Sequence, residues 1–154
     1  MKKLFFVLMI FPLMMVTSCK DNANTTNSNM NAITKDALID QEIEAYNAQL
    51  PIQVDYASTL LALSREDSVV TYQYEFDEYK IEYEDMYANQ VNFMADVKEK
   101  LTAACASNSE LHTFFSLLSE TGKVLHYDYR GNLSGRALMF EFSNDEIKEM
   151  VKDK

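Results

Sequence analysis

The chain has no tryptophan, and among its 154 residues only three glycines, two prolines, two cysteines and two histidines. Each scarcity closes off a chemistry. Gly122, Gly131 and Gly135 are too few for a glycine-rich phosphate loop, and turns or helix caps account for them. Two histidines and two cysteines, none at zinc-site spacing, leave no metal-ligand motif. No Gly-x-Ser-x-Gly elbow is present, and no Asp-x-Asp-x-Asp-Gly calcium loop. No cofactor is implied. Basic residues are outnumbered, 14 against 24 acidic ones, for a net charge of −10. Such a surface repels phosphate backbones, so nucleic acid is not an expected partner. The longest apolar run, Leu4 to Val16 with Pro12 inside it, falls short of the ~20 residues a membrane-spanning helix needs.

That run follows Lys2 and Lys3, and a positive start before a short apolar core is the pattern of a secretory signal. It ends Val16-Thr17-Ser18-Cys19, which resembles the bacterial lipobox. The resemblance implies a diacylglyceryl group on the Cys19 thiol, cleavage just before it, and acylation of the new amine. Two or three acyl chains, at ~0.8 kcal/mol per buried methylene, anchor a protein firmly to a membrane. Lys20 after the cysteine resembles outer-membrane sorting. Cys-Lys-Asp resembles a surface-export signal in part, and Asn22 interrupts that pattern. The expected organisation is a signal peptide at 1–18, a disordered tether at 19–33 and one domain at 34–154. The tether is rich in Asn, Thr and Ser and has little apolar surface to offset the entropy of ordering. Processing removes Lys2 and Lys3, leaving 12 basic residues against 24 acidic ones in a 136-residue mature chain. Cys105 is then the lone thiol, either buried or bonded to another molecule, and its place on an apolar stripe favours burial.

Within the domain, Thr34 caps a predicted helix with Ile39, Ile43, Tyr46 and Leu50 on one side, stopped by Pro51. Alternation then predicts strands at Ile52–Tyr56, around Leu61–Leu63 and at Val70–Phe76, with a turn at Arg65–Ser68. From Asp85 the period lengthens, placing Tyr87, Val91, Met94, Val97, Leu101 and Cys105 on a helical stripe. Ser107-Asn-Ser-Glu110 has capping-box spacing and opens a second helix, closed at Gly122. Two alternating runs, Val124–Tyr129 and Arg136–Phe142, flank Gly131-Asn132 and predict a two-residue hairpin with Leu125 opposite Leu138. Ser143-Asn-Asp-Glu146 is another capping box. The expected class is α+β: an antiparallel sheet of about five strands, ordered β-β-β-α-α-β-β, with helices on one face and at both ends. Leu50-Pro-Ile-Gln-Val-Asp55, Tyr72-x-Tyr74, Leu117-Leu118, Tyr127-x-Tyr129 and Gly131 together resemble small exported bacterial proteins with this order of elements. That resemblance implies no activity. The second cysteine those proteins carry near the C-terminus is missing here, so no disulfide carries over.

Two groups of residues are candidate sites. His126, Asp128 and Glu141 share the face of the last hairpin opposite the core, as a polar, acid–base or metal-binding cluster or as a solvated face. Between Glu75 and Tyr87, acids interleave with Tyr79, Tyr83 and Tyr87, residues suited to an interaction surface because tyrosine is enriched at interfaces. With no catalytic motif, the sequence reads as a non-enzymatic binding or interaction module of the cell envelope. It would be lipid-anchored through Cys19, on either face of the outer membrane, with an envelope protein or extracellular ligand as partner. A helper or inhibitor for a secretion or cell-wall system is the alternative, and a small hydrolase using His126 with carboxylates is the third reading.

Overall fold

In the computed structural model, residues 34–152 are described. The predicted signal peptide, the tether and Cys19 lie outside the described residues. Thr34 accepts the Ala37 N–H and caps α1 (Lys35–Asn47), whose Ile39 and Ile43 are buried. Then follow β1 (Ile52–Gln53), β2 (Ser58–Glu66), β3 (Val69–Phe76), α2 (Tyr83–Ala88), α3 (Gln90–Ser107) and α4 (Ser109–Glu120). The chain finishes with β4 (Val124–Gly131), β5 (Ala137–Phe142) and α5 (Asn144–Met150). The class is α+β, with five strands in the order β1-β2-β3-β4-β5 and the helices packed on one face.

The sheet is mixed rather than wholly antiparallel. β3 and β4 run parallel, because α2, α3 and α4 carry the chain back to the starting end of β3 before β4 begins, as a parallel pair requires. A break at Asn89 separates α2 from α3, so three helices occupy the stretch where the hydrophobic period predicts two. The first predicted strand shortens to two residues. Asp55 turns the chain there, its carboxylate accepting the Ala57 and Ser58 N–H groups at 2.7 and 2.8 Å. The cap of α4 is Asn108 rather than Ser107: its side chain accepts the Glu110 and Leu111 N–H groups. Both halves of the Ser143/Glu146 box form. After α4, Gly122 takes a φ of +69°. The Lys123 N–H reaches back to the Leu118 carbonyl at 2.9 Å, the glycine-dependent closure that satisfies the orphan carbonyls of a last turn.

Alternation along β3, β4 and β5 sends Tyr72, Tyr74, Tyr127, Tyr129 and Phe140 to the helix-covered face, where all are buried. The rings stack across strands, Tyr72 on Tyr127 at 5.1 Å and Tyr74 on Tyr129 at 4.5 Å. Direct cross-strand neighbours are spaced for such contacts. Phe93 of α3 meets Tyr129 and Phe140 edge-on. Burial raises the hydroxyl pKa of Tyr72, Tyr74, Tyr127 and Tyr129. Cys105 is buried against this core, and burial pushes its thiol up to about 11. Its geometry is that of a small core side chain.

Candidate functional site

The last hairpin departs from the predicted register. Leu125 pairs with Phe142 and His126 with Glu141, so the connection runs from Asn132 to Arg136 instead of two residues. The shift is even, so every side chain keeps its predicted face. It also brings His126 directly opposite Glu141, with Nε2 2.7 Å from the carboxylate. Asp128 does not join them. Its Oδ2 accepts Arg130 Nε and Nη2 at 3.0 and 2.8 Å, and its buried Oδ1 has no partner among the described residues. The predicted cluster is therefore two separate pairs on the uncovered face of the sheet. Among the described residues, no group of three His, Cys, Asp or Glu side chains lies close enough to hold a metal ion.

The hairpin loop is long because another loop holds it. Glu78, in the segment after β3, accepts the Leu133 and Ser134 N–H groups at 2.7 and 2.6 Å and the Ser134 hydroxyl at 2.8 Å. Asn132 donates its N–H to the Phe76 carbonyl at 3.0 Å and accepts the Glu78 N–H at 3.1 Å. Gly131 leaves room for the Glu78 carboxylate, which a Cβ at that position would strike. These bonds, the Ser134 backbone N–H first, hold the Glu78 carboxyl below its ordinary pKa.

The locked loops and α2 display an apolar rim at this end of the sheet. Tyr79 is 82% exposed and Tyr87 55%, and Tyr56 and Leu133 are exposed too. Tyr56 lies under the ammonium of Lys80 and Leu133 is bonded through its N–H to Glu78, and Lys80 and Glu78 both belong to the segment that carries Tyr79. Lys80 ties the rim together, its Nζ 5.3 Å from the Tyr56 ring centroid and 3.1 Å from Asp77. Tyr83 differs from its two predicted companions. It is 7% exposed, stacked between Phe76 and Tyr87 at 6.2 and 6.1 Å. The Arg136 guanidinium lies 3.8 Å from its ring centroid, and its hydroxyl donates to the Ala137 carbonyl at 2.9 Å. Tyr83 thus supports the rim from beneath, while Tyr79 and Tyr87 form it. Arg136 also pairs with Glu84. Sequence reasoning missed Tyr56 and Leu133, which lie 19 positions before and 46 positions after the acidic tyrosine-rich stretch Glu75–Tyr87 and reach it only through the fold.

No family model matches the sequence, and no curated protein matches it. Solved structures do. A Pseudomonas aeruginosa protein assigned as secreted superposes with a TM-score of 0.54 at 11% identity, covering 79% of this chain and 99% of that one. The likeness is one of fold. A pilotin of the type 2 secretion system of Vibrio vulnificus gives a TM-score of 0.48 at 7% identity, over 78% of this chain and 94% of its own. The type II secretion pilotin of Vibrio cholerae gives 0.48 at 13%, over 73% and 91%.

Proposed function

We propose that this chain is a lipid-anchored module of the cell envelope whose aromatic rim holds a protein partner. The observation that carries the reading is the rim itself: large, exposed tyrosines, Tyr79 on the loop that Glu78 and Asn132 fasten to the β4–β5 connection and Tyr87 on the adjoining α2. Exposed apolar side chains gathered in one place mark interaction sites, and rigid tyrosines lose little conformational entropy on binding. The anchoring part rests on the lipobox-like Val16–Cys19 and the apolar run before it, with Lys20 pointing to the outer membrane.

Binding is favoured over catalysis. A nucleophilic cysteine needs a lowered pKa and access, whereas Cys105 is buried and shifted upward. His126 and Glu141 pair with each other on the uncovered face of the sheet. A helper of a secretion or cell-wall system is the narrower form of this reading, in which the partner is a component of such a machine.

The test is site-specific photo-crosslinking in living cells, with the probe at Tyr79, at Tyr87 and, as a control, at Glu149 on α5. A discrete adduct from the rim positions and none from Glu149 is expected. Equal trapping at all three, or none, counts against the rim. Intact-mass analysis of the same protein tests the anchor: the mature chain should begin at Cys19 and carry acyl chains.

A further inference from the structure

The two edges of the sheet are treated differently. Beyond β1, the outer edge of β2 is covered: the Asn47 side chain donates to the Leu63 carbonyl and accepts its N–H, both at 2.8 Å. β5 is the other edge. The Gly131 N–H donates to the Arg136 carbonyl at 3.0 Å, which fixes the alternation of the antiparallel ladder. Leu138, Phe140 and Phe142 therefore exchange bonds with β4, and the backbone groups of Ala137, Met139 and Glu141 point outward. The row is stopped at both ends. Tyr83 donates to the Ala137 carbonyl, and beyond Phe142 the Ser143 N–H is held by Glu146 at 3.0 Å. Between these stops, Met139 and Glu141 offer two donors and two acceptors, with no partner among the described residues. Open edges of this kind are templates for strand addition.

We propose that the β5 edge takes an extended, basic segment of the partner protein as a sixth strand. The proposal rests on the partner-binding reading above and adds where and in what conformation the partner docks. The edge is continuous with the rim, since Tyr87 stacks on the same Tyr83 that bonds Ala137. Met139, 57% exposed, would be covered by the added strand. Charge decides between occupants. A second copy would bring another net −10, whereas Lys or Arg at alternate positions would lie beside Glu141, one of whose oxygens already faces His126. The other side of the alternation would be apolar, continuing the Leu138–Phe140–Phe142 row.

The test is titration of the purified, detergent-solubilised full chain with a nine-residue peptide of alternating Val and Lys. Backbone amide shifts and hydrogen exchange are followed by NMR. The expected result is perturbation and slowed exchange of the Met139 and Glu141 amides. Met139→Pro removes an outward donor without breaking a β4 bond and should weaken binding at least tenfold. Glu141→Lys, which leaves the backbone intact, should lose the Val–Lys peptide and gain a Val–Glu one. Shifts centred elsewhere, or affinity unchanged in both variants, would overturn the proposal. A concentration-dependent dimer abolished by Met139→Pro would do so too, by assigning the edge to a second copy. If the rim positions still crosslink a partner that Met139→Pro and Glu141→Lys leave unaffected, the edge fails and the module reading stands. If neither surface traps anything, both fail.

Discussion

Glu78 grips Ser134 twice, accepting its backbone N–H at 2.6 Å and its hydroxyl at 2.8 Å. That pair of bonds joins the segment after β3 to the β4–β5 loop and sets the length of the hairpin. Gly131 belongs to the same device, because a Cβ there would collide with the Glu78 carboxylate. Gly131→Ala should therefore displace Glu78 and break the same bonds that Glu78→Ala removes. The two changes should be non-additive in urea denaturation, the double variant losing less than the sum of the singles. Additive losses would mean the two residues act separately.

Acid should weaken the fold through carboxylates held below their ordinary range. Glu78 is held there first by the Ser134 N–H, and Glu146 first by Lys98. A depressed folded pKa gives stability that is present above the unfolded value, about 4.3 for glutamate. That stability is lost as pH falls through the folded pKa. The urea midpoint should drop below about pH 4, and less steeply in Glu78→Gln. An unchanged acid profile in that variant would exclude Glu78 as a contributor.

Burial separates Phe115 from Tyr79. Phe115 is fully buried, and Phe115→Ala should cost about 3–5 kcal/mol from lost transfer energy and the cavity left behind. Tyr79→Ala should stay within about 0.5 kcal/mol, as exposed substitutions do. Calorimetric melting of both variants measures the contrast.

Asn108, not Ser107, caps α4. Asn108→Ala should cost about 1 kcal/mol. Ser107→Ala should cost much less, since the Ser107 hydroxyl bonds only the Ala103 and Ala104 carbonyls of its own helix. Equal losses would place the cap elsewhere.

Cys105 should resist thiol reagents in the native protein and react only after unfolding, since burial both shields it and raises its pKa to about 11. Rapid native labelling, or an intermolecular disulfide, would contradict its place in the core.

Much of this was readable from residue order. Val70, Tyr72, Tyr74 and Phe76 alternate, and so do Leu138, Phe140 and Phe142, so their inward face followed from the period alone. The Ser143/Glu146 cap followed because capping is local. What escaped depended on contacts distant in sequence. Gly131-Asn132 carries a tight-turn signal, but Glu78, more than fifty positions earlier, pulls the loop open. The parallel pairing of β3 with β4 depends on where three helices deliver the chain, which no strand sequence records. For the candidate sites, His126 and Glu141 were placed on one face by parity and became partners only through the altered register. Tyr79 and Tyr83 look alike in sequence, and only the stacking of Phe76, Tyr87 and Arg136 around Tyr83 separates them.

The most direct measurement is co-purification of partners from the envelope with the full chain, comparing the natural protein with Tyr79→Ala/Tyr87→Ala. The melting temperatures of the two should agree to within a few degrees, and the double variant should lose a partner that the natural protein retains. Undiminished recovery of that partner by a folded double variant would contradict the assignment of the aromatic rim.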